Sequence, residues 1–233
     1  MSTVYKNAPL QETVFQIRFP AELSIECQKD AFREKIRDKF PKLLLPQLID
    51  PTPYPLKPYI LKTNDRIKTV TFSINSLSFH LNKYEGFIKF RDECLEYMNV
   101  FCKLFKISKL NRTGLRYVNH IPVLREGGII PIEKYIKLGY SLPESIPKKF
   151  ELFHSILVIE KGDGKIRILT QSQELEDQHK TEIILLDFDY YLESDNLKVG
   201  ELKKYLESSH YHTKEIFEDL LSEGYKKIVK GEK

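Results

Sequence analysis

Between Glu12 and Pro20 the chain reads ETVFQIRFP, and Phe15, Ile17 and Phe19 alternate with Gln16 and Arg18. This period of two predicts a strand with one apolar face, halted at Pro20, which has no N–H to continue a ladder. Residues 24–39 change to helical spacing, with Ile25, Phe32 and Ile36 on one stripe, Ser24 as the expected N-cap and Pro41 as the stop. Residues 41–58 carry six of the twelve prolines. That density predicts an extended connection, and its leucines and Tyr54 predict that it packs on the domain rather than acting as a linker.

Three short strands are predicted at 58–63, 66–74 and 77–82, with turns at NDR and NS. From Glu85 to Phe105, Phe87, Phe90, Cys94, Tyr97, Phe101 and Phe105 follow one another at steps of three or four, the spacing of an amphipathic helix. Asn82 and Glu85 have the spacing of a capping box at its start. The second half begins with a strand over 108–121, a Gly-Gly turn and a short helix near Pro131. The runs LFHSILVIEK, KIRILTQ and TEIILLDFDYY then predict three more strands, the first two joined at GDG. A helical region from about Lys198 to Ile228 closes the chain, with a break expected near SSHYH.

The two halves, 1–106 and 107–233, therefore share the order strand, helix, three strands, long helix. The expected fold is α+β: two similar β-α-β-β-β-α halves forming one curved antiparallel sheet, with the long helices packed on one face and no flexible linker between the halves.

Composition narrows the function classes. Lys and Arg number 37 against 33 Asp and Glu, a net charge of +4, which is too mild for a protein that grips duplex DNA by charge alone. No apolar run approaches the roughly eighteen residues of a membrane span, and the N-terminus lacks the form of a signal peptide, so a cytoplasmic location is expected. Cys27, Cys94 and Cys102 form no CxxC pair and read as small core residues rather than thiolate ligands.

If Phe15, Ile17 and Phe19 face the helices, strand parity places Gln16 and Arg18 on the other side of the sheet. Thr69, Thr71, Ser73, Ser78, His80, Arg116, His120, Lys165, Arg167 and Gln171 fall on that side too. Guanidinium, imidazole and hydroxyl groups suit phosphates and polar ligands. The competing reading is the ordinary wet face of an antiparallel sheet. Asn119 shares the inner face with Leu115, Tyr117 and Ile121, where it needs a hydrogen-bond partner. Arg112, Arg116 and Asn119 thus serve either to read a ligand or to tie the sheet to a neighbouring loop, through Glu12. Asp187 and Asp189 project from one side of a strand, the geometry of a divalent-metal site for phosphodiester chemistry, and equally that of turn and capping acids. His210 and His212 lie about 200° apart on a helix and are expected at its exposed surface. Tyr84, Tyr190, Tyr191 and Tyr211 fall outside the apolar stripes. No phosphate-binding glycine loop and no nucleophile elbow occurs.

At Asn7, Ala8, Pro9, Leu10 and Glu12, at Arg112, Gly114, Leu115, Arg116, Tyr117 and Asn119, at Asp187 and Asp189, and at His210 and Phe217, the chain resembles a sporadically distributed prokaryotic family of about this length and of unknown function. That family has an N-A-P-L-x-E start and an R-x-G-L-R-Y-x-N central motif. The resemblance implies no particular activity, and its patchy distribution suggests a defence-associated role. The duplicated order also resembles the TATA-binding-protein-like saddle in topology, although the outward positions here are mostly polar where that fold presents apolar wedges.

The expected function is a non-enzymatic binding or interaction module without a cofactor. A nucleic acid, nucleotide or protein partner would be met by Arg18, His80, Arg112, Arg116, Asn119, His120 and Arg167. One alternative is an Mg²⁺- or Mn²⁺-dependent phosphodiesterase or nucleotidyltransferase-like enzyme using Asp187 and Asp189. The other is a homo-oligomeric subunit whose sheet face is covered by a second copy.

Overall fold

The computed structural model describes residues 5, 7–44, 58–137, 143–145, 150–178 and 180–232. The first half contributes strands β1 (Leu10–Arg18), β2 (Lys42–Leu44), β3 (Tyr59–Lys62), β4 (Lys68–Ser73) and β5 (Ser76–Leu81). The second contributes β6 (Lys109–Pro122), β7 (His154–Lys161), β8 (Gly164–Glu174) and β9 (Glu182–Lys198). Together they form one antiparallel sheet in the order β2-β3-β4-β5-β1-β6-β9-β8-β7. β1 and β6 meet in the middle; outward from them run β5, β4, β3, β2 on one side and β9, β8, β7 on the other. The helices are α1 (Ser24–Ile36), α2 (Phe87–Leu104), α3 (Leu202–Leu220) and α4 (Glu223–Lys230). The α+β class with one large antiparallel sheet is the one the residue pattern predicts. No helix among the described residues is long and apolar enough to cross a membrane.

The apolar stripes meet where their periods require. Phe15 and Ile17 of β1, Phe79 of β5, Leu115 of β6 and Phe188 of β9 are fully buried, as are Phe32 of α1 and Phe90 and Phe101 of α2. Phe32 stands edge-on to Phe72 and Phe101, with ring centroids 5.3 and 4.9 Å away, an arrangement that sets the electropositive ring edge against a neighbour's π face. All six residues of the stripe predicted for α2 are buried.

Several local expectations are corrected. Leu23, not Ser24, occupies the N-cap of α1, and no side chain caps it. Helix α2 starts four residues later than the capping-box spacing suggests: Gly86, at φ 119°, takes the N-cap position in place of Asn82, and Glu85 pairs with Lys89 instead. The helix expected near Pro131 is a single 3-10 turn, Ile132–Lys134, whose neighbours Ile130 and Ile136 are buried, so the second half has no counterpart of α1 there. Helix α3 runs unbroken through SSHYH because Ser209 and Thr213 hydroxyls donate to the carbonyls of Tyr205 and Ser209, at 2.7 and 2.8 Å, and so satisfy themselves inside the helix. The break comes at Ser222, whose Oγ accepts from Tyr225 N at 3.0 Å to cap α4 and donates to Lys134 O at 2.6 Å. Cys94 and Cys102 are buried as expected, but Cys27 is exposed. Of the proline-rich stretch, residues 45–57, including Tyr54, lie outside the described residues.

Candidate functional site

Strand β6 divides the central motif between the two faces of the sheet. Its even-numbered positions Arg112, Gly114, Arg116 and His120 point away from the helices; Leu115, Tyr117 and Asn119 point toward them and are buried. The pairing register confirms the predicted parity: Gln16 lies opposite Ser78 and Gly114, His80 opposite Val14 and Thr69, Arg116 opposite Val14 and Asp189, and Arg167 opposite Asp189. Side chains directly opposite in an antiparallel pair share a face.

On the helix-free side the arginines are engaged by carboxylates of the same chain. Arg116 Nε and Nη2 donate to the two oxygens of Asp187, both at 2.8 Å, a two-pronged pairing. Arg167 Nη1 stands 3.6 Å from the same carboxylate, which has no exposed surface. Arg112 folds back across Gly114: a Cβ placed there would lie 2.6 Å from Arg112 Nη1, so a side chain at this position would displace the end of Arg112. So placed, Arg112 donates to Asp189 at 2.8 Å, lies 3.6 Å from Glu193 and stacks over the Tyr191 ring at 4.8 Å. Burial lifts the Asp189 carboxyl above its ordinary value, with the nearby Asp187 charge adding and Arg112 opposing. Arg18 Nε donates to Gln16, and His80 Nδ1 bonds Glu12 Oε1 at 2.9 Å, which holds the Glu12 carboxyl below its usual range. Backbone N–H of His120 donates to Pro9 O at 2.8 Å, and partial burial lowers its imidazole pKa. Three arginines thus face three carboxylates, and this patch is close to neutral. With each Asp187 oxygen accepting from Arg116, a cation placed there would stand against the guanidinium charge. Among the described residues, no group of three or more His, Cys, Asp or Glu is placed to hold a metal ion.

On the helix side lies a cavity of about 400 Å³. Tyr117 and Asn119 of β6 and Phe188 of β9 line it from the sheet, and His210, Thr213, Lys214 and Phe217 from α3. Asn82, Lys83 and Tyr84 enter from the turn after β5, with Tyr5 and Ala8 from the N-terminal segment and Leu10 from the start of β1. Each part is anchored. Asn7 ties the N-terminal segment to α4 through its N–H to Val229 O at 3.0 Å and its side chain to Ile228 O at 2.9 Å. Asn119 is 3% exposed, and its Nδ2 donates to Leu186 O at 3.1 Å, leaving Oδ1 as the acceptor of that carboxamide. The His210 imidazole lies flat on Phe87, with centroids 3.9 Å apart, and its Nδ1 is 2.9 Å from Tyr117 Oη. Burial, aided by the Lys214 charge, pushes the His210 pKa down to about 4, so the ring is neutral at neutral pH. Burial raises the Tyr117 phenol, which therefore keeps its proton. The Tyr84 hydroxyl is buried beside that of Tyr117; burial pushes its pKa up to about 12, with Tyr117 opposing.

The lining combines aromatic rings, two carboxamides and two lysines, and the described lining residues include no carboxylate. Such a wall can sandwich a planar ring, read its polar edge and neutralise an anion. Of the sequence candidates, only Asn119 belongs to this cavity; Arg18, His80, Arg112, Arg116, His120, Arg167, Asp187 and Asp189 lie on the opposite face or pair across it. His210 was expected at the surface. Its position four residues after Leu206 places it beside the buried stripe Leu202, Tyr205, Leu206, Ser209, Thr213, and this was legible once SSHYH is read as continuous helix. Comparison with known proteins finds no family model and no curated protein that matches this chain.

Proposed function

We propose that the protein is a binding module for a small anionic ligand carrying a planar ring, of the nucleotide class, held in the cavity between the 82–84 turn, α3 and the sheet. The observation that carries this reading is the lining itself: Tyr5, Tyr84 and Tyr117 for a ring, Asn82 and Asn119 for its edge, and Lys83 and Lys214 for its negative charge, with no carboxylate among the described lining residues. Of the fifteen residues that carry the resemblance, six line this cavity, Ala8, Leu10, Tyr117, Asn119, His210 and Phe217, while Arg112, Gly114, Arg116, Asp187 and Asp189 belong to the opposite face of the sheet. The neutral His210 and the protonated Tyr117 act as fixed hydrogen-bonding groups, not as a charged pair. A nucleic acid lying on the open sheet face has less support, since Arg112 and Arg116 would have to leave Asp189 and Asp187, held at 2.8 Å, to reach phosphates, whereas Lys214 meets Glu218 only at 3.7 Å. We also infer that the outward order β5-β4-β3 and β9-β8-β7 about the β1–β6 pair reflects two related halves.

Calorimetric titration with purine and pyrimidine nucleoside phosphates, the parent nucleosides and inorganic phosphate tests the proposal. The expected result is binding by at least one nucleotide, weakened about tenfold or more by Lys83→Ala with Lys214→Ala, consistent with the loss of two charge-assisted contacts. A folded protein that takes up none of these compounds, or a double variant that binds as wild type, would overturn it.

A further inference from the structure

Strand β7 is an edge of the sheet, and its centre is apolar on both sides: Ile156, Leu157, Val158 and Ile159 are 50, 43, 55 and 43% exposed. Edge strands of soluble proteins are normally blunted by proline, a bulge or an inward charge. Between Ser155 and Glu160 this strand has none of them, and its register with β8 is unbroken from His154 to Lys161.

The hydrogen-bonding phase of the edge is fixed. Ser172 N donates to Phe153 O at 3.0 Å, and these residues continue the β7–β8 register, so the odd-numbered residues 153, 155, 157 and 159 turn their N–H and C=O toward β8. The even-numbered residues His154, Ile156, Val158 and Glu160 turn theirs outward, and no described strand pairs with them. We propose that this edge pairs with the same strand of a second copy, antiparallel, about a two-fold axis at Leu157. That register sets Ile156 opposite the partner's Val158 and His154 opposite the partner's Glu160, and each of these pairs is of the hydrogen-bonded kind the outward groups require. Sliding by two residues either way keeps the phase but sets Ile156 against Glu160, or His154 against Val158. Only the Leu157-centred register matches apolar with apolar and base with acid. The symmetric pairing is closed, as a two-fold contact must be. It uses the strand edge and leaves the polar sheet face and the cavity free.

Sedimentation across a wide concentration range, together with crosslinking, tests this. Wild type is expected to dimerise reversibly, and Val158→Lys, which alters an exposed side chain, to be monomeric with an unchanged circular dichroism spectrum. In a Cys27→Ser background, Leu157→Cys faces its own copy across the axis at the close spacing of a non-hydrogen-bonded pair, about 4.5 Å between Cα atoms. It is expected to form an intermolecular disulfide under mild oxidation, whereas Ile159→Cys is not. A monomer at every concentration, a dimer that survives Val158→Lys, or equal crosslinking at both positions would overturn the proposal.

Discussion

The Arg116–Asp187 fork gives a prediction whose size follows from its asymmetry. The Asp187 side chain has no exposed surface, whereas Arg116 is 46% exposed. Replacing Arg116 by alanine leaves a buried carboxylate whose remaining cation is Arg167 at 3.6 Å. Breaking a buried pair in this sense costs about 3–5 kcal/mol, and the partial cover from Arg167 places the expected loss near the lower end, about 3 kcal/mol. For a chain of this size that corresponds to a fall in Tm of roughly 6–12 °C. The reverse change, Asp187→Asn, leaves the charge on a half-exposed guanidinium that water can reach, and keeps an acceptor for one of the two bonds. Its expected cost is about 1–2 kcal/mol. Urea unfolding followed by circular dichroism, with calorimetry for Tm, measures both. If Asp187→Asn costs as much as Arg116→Ala, or if Arg116→Ala moves Tm by less than about 2 °C, the reasoning from burial is wrong.

Other outcomes follow from the same geometry. His210 has its pKa lowered to about 4 by burial, below the ordinary value of 6.5, so the unfolded chain takes up a proton that the folded one refuses. Stability is therefore full above about pH 6.5 and falls between there and about pH 4, by up to about 3 kcal/mol from this residue; His210→Gln should flatten that part of the pH–stability curve. Gly114→Ala forces the flexible end of Arg112 away from its place above the strand, and the weakened bond to Asp189 should cost about 1–2 kcal/mol in urea unfolding. Ser222→Ala removes the cap of α4 and its bond to Lys134 O, with an expected loss of about 1–2 kcal/mol by the same assay.

Much of this fold could be read from residue order because strand parity and helix period are local. Phe15, Ile17 and Phe19 had to share one face and Gln16 and Arg18 the other, and the α2 stripe from Phe87 to Phe105 could not form without burying six large or apolar side chains. What charge does on the finished sheet was not local. Arg116 and Asp187 are 71 residues apart, and they meet only because β6 and β9 are neighbours, so a row of arginines that reads as a phosphate surface becomes a neutralised patch. The cavity was hidden for a related reason: Tyr5, Tyr84, Tyr117 and His210 come from four segments and converge only after α3 docks on β6 and β9. The run Ile156–Ile159 carries no alternation and reads as a strand buried on both faces. Its position at the edge depends on strand order, which the run itself does not encode.

The central claim, that the cavity is where ligand binds, is tested most directly by nuclear magnetic resonance of the side-chain amides during titration with a nucleotide that binds calorimetrically. Saturable shifts of the Asn82 and Asn119 carboxamide signals, absent in the Lys83→Ala, Lys214→Ala variant at the same nucleotide concentration, are the predicted result. Shifts confined to the open-face residues Gln16 and Gln171, with Asn82 and Asn119 unmoved, would contradict it.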